Sequence, residues 1–446
     1  MILLGILTFG LTIWLAAYVL HRSQNEAGWF SAAALAAYAT AIALTLISAA
    51  GEIRPTTQID TATTLCLLLA VLLWTRAVIA LLPRNDDARW RLVRVWKFVL
   101  LPLTLIAAGL IIGADSLVAM AASAAITMLP ALIMTVTVAG MMTEQRTIGW
   151  ITTLLIFTVL FLSSATMLLL RPLGNASAWL AIGAGLDLCV LGIVVAGISA
   201  RQAGEKMMRD FMRSFDAALI AALLFSLPLV LAAGGIPAEP AELAALLTIL
   251  ALAIGSQALV TPWQRTLDRI TLRAVPAMQA ERQQLRATAE ALPRRDDALD
   301  PETLDETEFV RLTRRALGNY ANLPKLTSSP LTQLAIVRAR LDATGAPENS
   351  LARAAALRDA LGESIAALRP YDAKTFQAGD DWRYYNALYY PYVVGIKPYS
   401  RRADHGHLDE NAQTALTWFR TYVPERTLYN WQNAAAALVA QHLREL

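Results

Sequence analysis

From Phe98 to Met142 the chain holds one ionisable side chain, Asp115, in 45 residues. About 20 apolar residues make one helical crossing of a bilayer, so this stretch is two crossings long. Gly113, Ala114, Asp115 and Ser116 suit a tight turn between them. In hydrocarbon the backbone must satisfy its own hydrogen bonds, which leaves helices or closed barrels. Uniformly apolar runs exclude the alternating strands of a barrel.

The same reasoning predicts nine spans, near residues 1–20, 29–50, 61–83, 98–114, 116–140, 149–170, 177–200, 215–233 and 243–261. Charged residues make up 16% of the chain, against a usual share of roughly a quarter, and they concentrate after Pro262. Such a break marks two solvents, lipid and water. No basic segment precedes the first apolar run; His21 and Arg22 follow it. Residues 1–20 are therefore expected to be a retained span rather than a cleaved secretory signal. Cys66 and Cys189 both fall inside apolar runs, so no extracellular disulfide framework is expected.

Loop charge orients the spans. The loops after spans one, three, five, seven and nine carry Arg22; Arg84, Arg89, Arg91, Arg94 and Lys97; Arg146; Arg201, Lys206, Arg209 and Arg213; Arg265, Arg269 and Arg273. Those are fourteen Lys or Arg, against Arg54 and Arg171 on the opposite side. By the positive-inside rule the N-terminus lies outside and the C-terminal domain lies in the cytoplasm. Removing the turn at Asp115 would put the later basic loops on the wrong side. The expected location is a plasma (bacterial inner) membrane.

Charges inside spans call for a functional hypothesis. Asp187 falls near the middle of span seven, where it can bind a proton, cation or ligand, or hydrogen-bond a neighbouring span. Arg76, two turns from the basic end of span three, can snorkel toward the headgroups; an Arg76–Asp187 pair is a further option. Pro102 lies near the start of span four, where it is tolerated, and Pro130 and Pro228 lie deeper, where they bend helices.

Residues 1–262 thus read as a transmembrane helix bundle, 263–301 as a connector helix and polar linker with a break at Pro276, and 302–446 as a helical cytoplasmic domain. Helices are expected near 302–320, 328–343, 350–368, 380–390, 410–422 and 425–444, with Tyr392–Ile396 as a possible short strand. Trp382, Tyr385, Tyr389 and Tyr392, with Arg383, Lys397, Arg401 and Arg402 nearby, suit either a small-domain core or a stacking surface. The turn Val423-Pro424-Glu425 between two amphipathic helices resembles a helix-turn-helix. Arg426, Thr427, Asn430 and Gln432 are chemical types that contact phosphates, base edges or a protein partner.

Catalytic signatures are missing. His405-Gly406-His407, with Asp404 and Asp409, reads as a polar loop rather than a metal site. No Walker lysine motif and no Gly-x-Ser-x-Gly elbow occur, and Gly183-x-Gly185 lies within an apolar span. No enzyme activity, cofactor or metal is expected.

The stretch Trp14-Leu15-Ala16-Ala17-Tyr18-Val19-Leu20-His21-Arg22, followed by a second span with Ala37-Tyr38, resembles the multi-span sensor region of some bacterial histidine kinases. That family has seven spans, and this chain lacks the phosphoacceptor-histidine helix and the nucleotide-binding glycine boxes, so kinase activity is not carried over. The resemblance implies a sensor. The leading expectation is a sensor or signalling protein coupling the spans to a non-catalytic interaction domain, with the bilayer and a cytoplasmic protein as partners. A transporter or channel using Asp187, or a membrane-tethered DNA-binding regulator, are the alternatives.

Overall fold

The computed structural model describes residues 1–445 except 23–24, 51–56, 83–86, 114–115, 143–147, 171–175, 203–204, 206, 237–238, 274–275, 292–299, 346–347, 374, 401–402, 404 and 407. The described residues are all-α: they form helices and no β-strand. Nine of the described helices are long and apolar enough to cross a membrane. The protein is a multi-pass membrane protein. The Asp115 turn lies outside the described residues, as do Arg54, Arg84, Arg146, Arg171, Lys206 and most of the linker.

The spans are α1 (Ile2–Arg22), α2 (Glu26–Ala50), α3 (Thr57–Ile79), α4 (Asp87–Val95) continued by α5 (Leu101–Gly113), α6 (Leu117–Met142), α7 (Ile148–Leu169), α8 (Ala176–Gln202), α9 (Met208–Ala232) and α10 (Pro240–Thr271). Between α4 and α5 the helix loosens to a π turn at Trp96–Leu100, where the Leu101 N–H donates to the Trp96 carbonyl. The cause is Pro102, which offers no N–H to the carbonyl four residues back. Pro130 and Pro228 remain inside continuous helices α6 and α9.

The chain divides into two compact units. The first comprises Met1–Ser199 and Phe211–Thr266, and the second Ala200–Asp210 and Leu267–Leu446.

In the first unit, α8 is the most enclosed span and α9 the least. Glycine permits that enclosure. A Cβ at Gly185 would stand 2.8 Å from Thr8 of α1 and 2.9 Å from Ile42 of α2, and one at Gly192 would stand 2.8 Å from Leu15. Small residues let membrane helices approach closely without a hydrophobic drive between them. Gly183, two residues away on the opposite side of the helix, faces open space. Gly185→Val is therefore expected to cost about 1–3 kcal/mol through overpacking, whereas Gly183→Val should stay within about 0.5 kcal/mol. Thermal unfolding of both variants in micelles checks this; equal stabilities would refute the α1–α2–α8 seam.

The second unit adds α11 (Pro276–Ala291), α12 (Glu306–Gly318), α13 (Leu323–Leu326), α14 (Ala335–Thr344), α15 (Ser350–Ala366), α16 (Arg383–Leu388), α17 (Glu410–Tyr422) and α18 (Glu425–Glu445). Asp305, Asn349 and Asp409 cap the N-termini of α12, α15 and α17, each accepting a backbone N–H three residues on. Phe309, Leu357, Leu361, Leu388 and Val439 belong to one core, and Phe419, Leu416, Ile396 and Leu428 to a second.

Tyr392–Ile396 is not a strand. Tyr389–Val394 form a π-helical turn, closed by Gly395 at φ 90°, and the N–H groups of Gly395 and Ile396 both donate to the Tyr390 carbonyl. Its aromatic and β-branched residues favour strands, but the segment finds no strand partner among the described residues, and a left-handed glycine ends it instead.

Candidate functional site

Glu26 opens α2, Arg76 lies in the last turn of α3, and Arg89 lies in the first turns of α4. The Glu26 carboxylate accepts from Arg76 Nη2 at 2.7 Å and from Arg89 Nη2 at 2.8 Å. Arg89 Nη1 also donates to the Leu82 carbonyl at 2.9 Å. The Arg76 guanidinium stands 4.8 Å from the Phe30 ring centroid. Both arginines are buried, and Arg76 Nη1 has no hydrogen-bond partner. Arg76 thus pairs with Glu26, at the start of α2, rather than with Asp187. The cluster ties three spans together at the end of the bundle bearing the basic loops.

Asp187 is half-buried on α8, within electrostatic reach of Tyr38 on α2. The Tyr38 hydroxyl donates to the Ala181 carbonyl at 2.8 Å. The Thr12 hydroxyl on α1 donates to the Thr8 carbonyl at 2.7 Å and lies 3.5 Å from the Cys189 sulfur. A polar neighbourhood therefore sits at mid-depth where α1, α2 and α8 meet. Among the described residues it contains one carboxyl, that of Asp187.

A third charged cluster lies in the second unit. Asp268, near the C-terminal end of α10, is 3% exposed. It pairs with Arg282 at 3.1 Å and with Arg286, one turn apart on α11. The same unit includes residues 200–210, between α8 and α9. Arg311 donates to the Arg201 carbonyl at 3.2 Å, and Arg315 pairs with Glu205 at 3.2 Å.

Among the C-terminal candidates, Trp382 and Tyr385 are core residues, and Tyr389 and Tyr392 pack against that core from its edge. Arg369 donates to the Tyr385 hydroxyl at 2.6 Å and lies 4.8 Å from its ring centroid. Arg426 and Asn430 are exposed and Thr427 is half-exposed, whereas Gln432 is buried and donates to the Ala387 carbonyl at 3.2 Å. Gln432 is thus used inside the domain, and the other three share the outer side of α18. Arg401, Arg402, Asp404 and His407 lie outside the described residues, and His405 Nε2 accepts the Lys397 N–H. Among the described residues no group of three or more His, Cys, Asp or Glu comes together as a metal site.

Two tyrosines carry a pH consequence. Burial, reinforced by the neighbouring Tyr385, Tyr389 and Asp409, pushes Tyr390 up to about 12. Burial also pushes Tyr399 up to about 12, with Glu425 and Tyr429 adding to it. The folded state favours the neutral phenols, so their contribution is intact below the unfolded value near 10 and is lost as pH rises through 12. Stability of the second unit should fall between pH 10 and 12, and less steeply in Tyr390→Phe. Circular dichroism melts across that range test it; an unchanged slope in the variant would refute the assignment.

No protein-family model matches the chain, and no curated protein or solved structure matches it.

Proposed function

We propose that this protein is a membrane-embedded sensor whose span bundle is coupled mechanically to a non-catalytic helical interaction domain. One observation carries the reading. The chain passes between its two units three times, at Ser199/Ala200, Asp210/Phe211 and Thr266/Leu267. Each passage falls inside an unbroken helix: α8, α9 and α10. Continuous helices transmit displacement in a way that flexible linkers do not. Helix α8 also carries Asp187, so a change of charge at mid-depth acts on an element that continues into the second unit.

Helix α10 extends the argument. Its 32 residues span about 48 Å at 1.5 Å per residue, against a hydrocarbon thickness of about 30 Å. The surplus carries Asp268, whose arginine partners lie on α11. The loop charges support placing the second unit in the cytoplasm. The inward use of Gln432 supports a protein partner over DNA for α18.

A whole-gene deletion and a truncation lacking residues 292–446 should give the same cellular phenotype. A truncation that restores the wild-type phenotype would overturn the reading. The polar neighbourhood of Asp187 favours one second reading, ion or proton transport. Flux in proteoliposomes that disappears in Asp187→Asn would establish it.

A further inference from the structure

Helix α4 and the π turn that follows it have an outer side of mixed chemistry. Arg91, Arg94 and Lys97 are exposed there, and so are Trp90, Val95 and Phe98. At about 100° per residue the six share roughly 160° of the helix surface. The other side is held by the bundle: Trp96 Nε1 donates to the Leu72 carbonyl of α3 at 3.0 Å, and Arg89 joins the Glu26 cluster. Among the described residues none of the three outer cations pairs with a carboxylate, and the chain has no acidic residue from Ala88 to Ala114. The Lys97 ammonium instead lies 5.4 Å from the Phe98 ring centroid.

Depth decides what meets this surface. The span from Asp87 to Gly113 has 27 residues, and about 20 fill the hydrocarbon core. Counted back from Gly113, those 20 reach Arg94. Residues 87–93 therefore lie in the headgroup layer, and Lys97 lies one turn inside, where its stem can carry the ammonium outward. A soluble polyanion would have to displace lipid to reach Arg94 and Lys97, and it would leave Val95 and Phe98 against a polar partner. An amphiphile meets both needs, with an anionic head for the cations and hydrocarbon for the apolar side chains. A zwitterionic headgroup carries a cation of its own, which three unpaired cations repel. An anionic headgroup carries none.

We propose that the outer side of α4 binds anionic phospholipid, with headgroup phosphates on Arg91, Arg94 and Lys97 and acyl carbon over Val95 and Phe98. Arg89 ties the same helix to Glu26, so lipid bound here presses on the cluster that joins α2, α3 and α4. Lipid selection of this kind goes beyond the sensor reading and does not depend on it; the experiment below reads selection alone.

The full chain is placed in phosphatidylcholine nanodiscs doped with a photoreactive lipid, a diazirine on the acyl chain next to the headgroup. The probe is phosphatidylglycerol in one series and phosphatidylcholine in the other, and cross-linked peptides are mapped by mass spectrometry. The ratio of the two labels over residues 88–98 should exceed the ratio around Trp179, exposed at the start of α8, by about fivefold or more, since one Lys or Arg near an anionic surface contributes about that factor. Arg91→Gln/Arg94→Gln/Lys97→Gln should remove the excess, and Arg91→Lys/Arg94→Lys should keep it. Raising sodium chloride from about 50 to about 500 mM should shrink it in the wild-type chain, which decides the matter should the triple variant fail to fold. Equal ratios at the two places, or an excess that survives either the triple variant or the salt, would overturn the site. Loss of the excess on adding inorganic phosphate or soluble polyglutamate at matched ionic strength would overturn lipid as its occupant.

Discussion

Replacing Glu26 with leucine should destabilise the span bundle by about 3 kcal/mol, the lower end of what removing one partner of a buried ion pair costs. The lower end applies because the Glu26 side chain is 42% exposed while those of Arg76 and Arg89 are only 10% and 9% exposed. The loss is dominated by what remains. Two guanidiniums stay at the bundle end, and Arg76, with Nη1 already unpartnered, loses the one hydrogen-bonded partner it has among the described residues. Arg89 keeps its bond to the Leu82 carbonyl, so it suffers less. The double variant Glu26→Leu/Arg76→Met should regain half of the loss or more, because an apolar pair of similar volume often replaces a buried ion pair without penalty. A double-mutant cycle in micelles, followed by tryptophan fluorescence, separates the pair term from the single effects. A single variant within about 0.5 kcal/mol of wild type would show that the cluster contributes nothing to the bundle.

The difference between what the sequence reveals and what it hides follows from range. The spans are legible because apolarity over 20 residues is a property of the run itself. Asp187 is legible because any charge at mid-depth stands out. Glu26 is not: at the first residue of α2 it reads as part of a polar loop, and its partners lie 50 and 63 positions away. The partner of Arg76 is hidden for the same reason. The inclusion of residues 200–210 in the second unit is equally hidden, since Arg311 and Arg315 lie 110 positions from the groups they hold. Composition changes at Pro262, but α10 continues through it to Thr271, so the chemical boundary and the helical boundary do not coincide. Gln432 shows the opposite limit. Its residue type suits recognition, and only packing reveals that its amide serves the Ala387 carbonyl.

The second large effect lies where α10 turns into α11. Asp268→Ala should raise backbone hydrogen exchange across residues 276–291 by about 30-fold. Hydrogen bonds to charged groups contribute roughly 1.5–3 kcal/mol each in favourable settings. Here Arg282 is 53% exposed and Arg286 30% exposed, so solvent compensates part of their loss. A net change of about 2 kcal/mol is the consistent figure, and 1.4 kcal/mol is a factor of ten in an opening equilibrium. Exchange in the core around Phe309 and Leu361 should remain at its wild-type rate, because neither residue belongs to the clasp. Arg282→Ala alone should have a smaller effect than Asp268→Ala, since Arg286 retains the carboxylate. The result bears directly on the sensor reading. If α10 passes a displacement to α11, the joint must hold under load, and Asp268 supplies both of its ionic contacts to α11 among the described residues. Unchanged exchange at 276–291 in Asp268→Ala would mean that α11 is held by packing, including that on α13, and the ionic joint would drop out of the mechanism.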